Sequence, residues 1–136
     1  MIKSEKNIER DLFRLIKASP LAEMVTGSVY RKDMRPDNSS KEDIVVKFLA
    51  GEEGQIQTGI VVVNIYVPDI TSKQYSHPIE NTKRVEEIED AVIAFVKDCK
   101  DNEYLYELDS SPISLSVQDL FQHVVYSRIK YKRIID

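Results

Sequence analysis

A chain of 136 residues with 42% hydrophobic and 31% charged residues, four glycines and five prolines has the composition of one ordinary globular domain and not of a disordered or fibrous polymer. Its single cysteine, Cys99, excludes an intramolecular disulfide, and two histidines beside it are too few for a closed Cys/His zinc site. The net charge of −4 hides an order along the chain, +3 over residues 1–36, −9 over 37–109 and +2 over 110–136, which suits either a solvated surface of mixed charge or head-to-tail packing of identical subunits.

The opening MIKSEKNIERD lacks the apolar stretch of a signal peptide, and no apolar run approaches a membrane span. A cytosolic protein without membrane contact is therefore expected. Residues 4–17 read as a helix: Ser4 is an N-cap, and Ile8, Leu12, Leu15 and Ile16 recur at helical spacing. Ser19-Pro20 ends it, and Pro20 suits the first position of a short second helix over 21–25. Gly27 breaks that segment, residues 28–31 are extended, and the Pro-, Asn- and Ser-rich stretch 35–41 is a loop.

Residues 43–50 read as a strand with Ile44, Val46 and Phe48 on one face. Gly51-Glu52-Glu53-Gly54 is a hairpin tip, and 55–67 is the return strand, dense in β-branched residues. Its polar start, Gln55, Gln57 and Thr58, is expected to project beyond the body. After Pro68, residues 69–81 form a long loop. Asn81 or Thr82 caps a helix over 83–100 whose buried stripe is Val85, Ile88, Val92, Phe95, Val96 and Cys99. Short strands follow at 104–108 and 113–117, with a turn at 109–112 and an ambiguous bend at 119–121. Residues 123–135 alternate Val125, Ile129, Tyr131 and Ile135 against Tyr126, Arg128, Lys130 and Lys132, a strong strand pattern. The expected fold is a single α+β domain over 1–136: an antiparallel sheet of four to five strands with two main helices packed on one face.

Sites of chemistry are scarce. GxSxG, Walker A, GxGxxG and HExxH motifs are all missing. Gly51-x-x-Gly54 encloses two glutamates that would repel a phosphate backbone. Cys99, near a helix C-terminus, reads as a buried small hydrophobe. His77 reads as an exposed loop histidine, with a small active site in that loop as the competing reading; His123 is a strand-end polar group. Glu86 and Asp90 share a helix face but supply too few ligands for a cation. No catalytic, cofactor or metal residue is assigned, and the chain is read as no enzyme. The stripe Arg128, Lys130, Lys132 stays open to three readings: contact with nucleic acid, which the acidic chain argues against, pairing with the acidic segment of a neighbouring subunit, or protective charge on an edge strand.

Several stretches carry a resemblance. DLFRLIKASPLAEMVTGSVYR gives a helix, a short second helix and a Gly-x-Val-Tyr strand; RPDNSSKEDIVVKFL gives a Pro-containing loop into a long strand; QTGIVVVNIYVPD, the helix over 83–100 and HVVYSRIKYKRII complete the order. This layout resembles the small tail-terminator and head–tail-joining (neck) proteins of tailed bacteriophages, over nearly the whole chain. The resemblance implies a phage or prophage structural protein that forms a ring, often a hexamer, at the end of the tail tube. Its partners would be its own copies and the tail-tube and neck proteins. It would sit in the host cytoplasm during assembly and then in the virion. The family carries no catalytic residues or cofactors. Under that reading Glu52, Glu53, Gln55 and Gln57 of the hairpin and Arg128, Lys130 and Lys132 of the last strand form the expected subunit or partner interface. The alternative is a small nucleic-acid-binding or adaptor module using the basic last strand.

Overall fold

The first helix, α1 (Glu5–Lys17), begins where the Ser4 hydroxyl accepts the Asn7 N–H at 3.2 Å. It buries Ile8, Leu12 and Ile16. Pro20 occupies the first turn of α2 (Pro20–Met24), where its missing N–H costs nothing. The chain then runs through β1 (Val29–Arg31), β2 (Ile44–Glu52), β3 (Ile56–Pro68), α3 (Thr82–Asp98), β4 (Tyr104–Leu108), β5 (Ile113–Val117) and β6 (Gln122–Ile134). Asn81 caps α3, accepting the Arg84 N–H at 3.2 Å. The computed structural model describes residues 1–117 and 119–134, the last without its side chain; Ile135 of the expected last strand lies outside the described residues. No helix among the described residues is long and apolar enough to cross a membrane.

The strands form a mixed six-stranded sheet in the order β1-β2-β3-β6-β4, with β5 also on β6. This corrects the expected antiparallel sheet of four to five strands in two respects. First, β1 pairs with β2 in parallel, Val29 opposite Ile44. A parallel pair needs a crossover of about a dozen residues, and residues 32–43 supply one. Second, β4 and β5 lie end to end along one edge of β6, β4 against its Ile129–Arg133 end and β5 against its Gln122–Tyr126 end.

Both long helices pack on one face of the sheet. Ile8, Leu12 and Ile16 of α1 and Val85, Ile88, Val92 and Val96 of α3 join Ile44, Val46, Val61, Val63, Ile65, Val125 and Ile129 in one core cluster. The α+β class follows: one sheet, one layer of helices. Side chains alternate across a strand, and directly paired residues share a face. The register therefore assigns Val45, Lys47, Val62, Asn64, Tyr126, Arg128, Lys130, Lys132, Leu105, Glu107, Ile113 and Leu115 to the opposite face. Among the described residues no helix covers that face. The loop before β2 folds over one end of it, where Arg35 stacks 3.8 Å from the Tyr66 ring centroid.

The hairpin of β2 and β3 does not stand free. β6 accompanies β3 along its full length, from Pro68 opposite Gln122 to Ile56 opposite Ile134. Thr58 is thus a mid-sheet residue opposite Lys132, and only the turn around Glu53 and Gly54 lies beyond the paired strands. The expected projection of the return strand's polar start is corrected accordingly.

Candidate interface

At the hairpin tip Glu52, Glu53 and Gln55 are exposed. Gln57 is not: it is 1% exposed and faces the helix layer. Its Oε1 accepts the Lys3 N–H at 3.0 Å and an Arg133 Nη1 donor at 2.8 Å, and its Nε2 donates to the Lys3 carbonyl at 3.0 Å. A glutamine held on both sides of its amide is buried without penalty and cannot meet a partner. Gln57 is therefore removed from the expected interface.

Around it lies a charged network that ties the N-terminal segment to β4 and β6. Arg133 donates to the Met1 carbonyl at 2.6 Å and pairs with Glu103. Lys3 bridges Asp11 and Glu103, each at 2.7 Å, and the Tyr104 hydroxyl donates to Asp11 at 2.6 Å. Burial works against the Asp11 charge, but the hydrogen bonds from Lys3 and Tyr104 outweigh it and hold that carboxyl below its ordinary range. Hydrogen bonds from Lys3 and Arg133 lower the Glu103 carboxyl in the same way. Under the tip, Gly51 and Gly59 are paired across the hairpin with the Tyr131 ring against them. A Cβ on Gly59 would come within 2.2 Å of the Ala50 carbonyl oxygen.

The basic stripe lies on the uncovered sheet face, as the alternation of the last strand requires. Two of its three cations have partners within the chain. Arg128 donates to Asp109 at 3.0 Å, and Lys130 lies 3.8 Å from Glu107, its cross-strand neighbour. Lys132 has no ion-pair partner among the described residues, nor has Lys47 two strands away. The structure does not bring Glu52 or Glu53 within ion-pair distance of the stripe in one copy. Leu105, 68% exposed and opposite Lys132, is an apolar anchor beside these cations that sequence reasoning missed. Its signal was the alternation of Tyr104, Tyr106 and Leu108 against it, readable only once the core face is known.

The remaining residues singled out in the sequence sit as follows. Cys99 is half-buried at the end of α3, and burial followed by the nearby Asp101 charge raises its thiol pKa. With Ala18, Leu21, Met24, Ala94 and Phe95 it lines an apolar groove of about 540 Å³ between α1, α2 and α3. His77 is exposed, its ring 6.3 Å from that of Tyr75. His123 is partly buried, with Nδ1 2.7 Å from Asp69 and Nε2 3.8 Å from Glu80. Glu80 also accepts hydrogen bonds from Ser114 and Thr82, which together with His123 lower its carboxyl against the effect of burial. Glu86 and Asp90 are exposed on α3. No group of three His, Cys, Asp or Glu side chains among the described residues is placed to hold a metal ion. Neither a protein-family model nor a curated protein matches this chain.

Proposed function

We propose that this chain is a structural assembly subunit that joins copies of itself into a ring, of the tail-terminator or head–tail-joining kind in a phage or prophage. The observation that carries the reading is the one-sided sheet. Its helix-free face presents Leu105 beside Lys130 and Lys132 and, farther along the same edge, Ile113 and Leu115 opposite Tyr126 and Val124, each of the three more than two-fifths exposed. Apolar groups rimmed by charge are the composition of a protein–protein contact. The element order that carries the resemblance to the tail-terminator and neck proteins supports the kind of assembly. The close pairing of Arg128 with Asp109 weighs against the nucleic-acid alternative, because a paired cation releases fewer counterions on meeting phosphate. Electron microscopy of the protein alone and mixed with tail tubes tests the proposal. Closed rings, or tubes capped at one end, are the expected result. A protein that stays monomeric and leaves the tubes uncapped would overturn it.

A further inference from the structure

The two sides of the molecule carry opposite, unsatisfied charge. On the helix layer, Glu86, Glu89 and Asp90 follow one another along α3, and none has an ion-pair partner among the described residues; of the neighbouring acids only Glu87 is paired, with Arg84. Burial and the charges of Glu80, Asp90 and Glu86 together raise the Glu89 carboxyl, the mark of like charges crowded without relief. One turn beyond Asp90 on the exposed side, Ile93 is 43% exposed. On the outer face of the sheet, Lys132 and Lys47 are unpaired among the described residues, Lys130 is held only at 3.8 Å, and Leu105 stands opposite Lys132.

The spacings also match. Residues four apart on a helix rise about 6 Å, as Glu86 and Asp90 do. Residues two apart on a strand rise about 6.7 Å, as Lys130 and Lys132 do. Two carboxylates and two ammonium groups can therefore meet in register. The sheet separates the two surfaces, so they cannot meet within one copy.

We infer that the outer sheet face of one copy docks on the exposed face of α3 of the next, Lys130 and Lys132 meeting Glu86 and Asp90. The contact is front to back and so heterologous; it closes into a ring if the rotation per copy divides a full turn, and otherwise makes a filament. This inference rests on the ring reading above and names the surfaces that reading leaves open. It replaces the hairpin-tip acids Glu52 and Glu53 with the acids of α3 as the counterpart of the basic stripe.

The test is a charge exchange. One variant carries Lys130→Glu with Lys132→Glu, the other Glu86→Lys with Asp90→Lys. All four positions are exposed, and matched circular dichroism of both variants verifies their fold. Sedimentation velocity at low salt is expected to show the native protein associating, and association falling steeply as salt is raised. Each variant alone should associate at least about tenfold more weakly, because its two surfaces then carry like charge. An equimolar mixture of the two should associate again, since every sheet face then meets an α3 of opposite sign. Native protein that stays monomeric overturns the inference; the ring reading falls with it only if tail tubes mixed with the protein also stay uncapped. Variants that associate as well as the native protein overturn the inference alone. Restored mixtures that grow as open filaments under the microscope support the inference and overturn the ring.

Discussion

Gln57 grips Lys3 by both backbone groups, accepting its N–H and donating to its carbonyl, each at 3.0 Å. The two residues are 54 apart in sequence, yet the side-chain amide treats the N-terminal segment as a strand partner. Arg133 completes the joint by donating to Gln57 and to the Met1 carbonyl. Replacing Gln57 with Ala leaves those buried groups without their partner. We expect Gln57→Ala to lower the unfolding free energy by about 1–3 kcal/mol in urea melts, with little change in slope. Protection of the Lys3 amide from hydrogen exchange should fall at the same time. An unchanged melt would show that water replaces the amide without loss.

Asp43 is the second joint. It is 1% exposed and accepts from Arg35 Nε at 2.9 Å, Ser39 Oγ at 2.6 Å and the Ser28 N–H at 3.1 Å. Its partner Arg35 is itself largely buried and stacks on Tyr66. Asp43→Ala would leave a guanidinium without its counter-charge, and we expect a loss of about 3–5 kcal/mol. Asp43→Asn keeps one acceptor oxygen, for the Ser28 N–H, but puts an NH2 group where Arg35 and Ser39 donate and removes the charge, and it should fall between Ala and the native protein. Both values come from chemical denaturation at neutral pH.

The same carboxylates set the response to acid. Asp11, Asp43 and Glu103 all have folded-state pKa values below their ordinary values of 3.8, 3.8 and 4.5. For Asp43, as for Asp11, burial opposes the shift, and the hydrogen bonds from Ser39, Arg35 and Ser28 exceed it. A lowered carboxyl stabilises above its unfolded pKa and loses that contribution as pH falls through the folded one. Lys3 is raised above 10.5, where burial is exceeded by Asp11 and Glu103, so its contribution is present below that value and lost above its folded pKa. Stability measured against pH should therefore be flat between about pH 5 and pH 8 and fall on both sides, the alkaline limb starting where the Cys99 thiol, raised from 9.0 by folding, would ionise in the unfolded chain. Asp11→Asn and Asp43→Asn should each make the acid limb shallower. An acid limb of native steepness in both variants would contradict the assignment.

The paired glycines under the hairpin tip make a third kind of prediction. A Cβ on Gly59 meets the Ala50 carbonyl oxygen at 2.2 Å and the Gly51 Cα at 2.7 Å, both backbone, so the strands themselves must part. At Gly54 the nearest atom would be 3.8 Å away. Gly59→Ala should cost about 1–3 kcal/mol by overpacking, and Gly54→Ala well under 1 kcal/mol. Thermal melts of the pair separate the two, and equal melts would mean that β2 and β3 shift apart freely.

The alternation of residues 123–134, the helical stripes of residues 4–17 and 83–98, and the β-branched run from Ile60 to Val63 made most elements readable, because each pattern is local. What stayed hidden was pairing. Val29–Arg31 is too short to reveal that its partner runs parallel, and nothing in YLYEL or ISLSV says that both lie on the same edge of β6. Gln57 looked like surface because its partners, Lys3 and Arg133, are 54 and 76 residues away. The basic stripe was visible as a stripe. That Glu107 and Asp109 answer two of its charges depends on the register between β4 and β6, which no local pattern encodes.

The 13-residue pairing of β3 with β6 joins segments separated by the whole of α3, β4 and β5. During synthesis β3 leaves the ribosome long before its inner neighbour exists, and one edge of a strand rich in valine and isoleucine waits unpaired. Closing so long a loop is slow, so native folding should begin only once residues 122–134 have emerged. A nascent chain halted before that point would be the form most prone to aggregate and the one most in need of a chaperone.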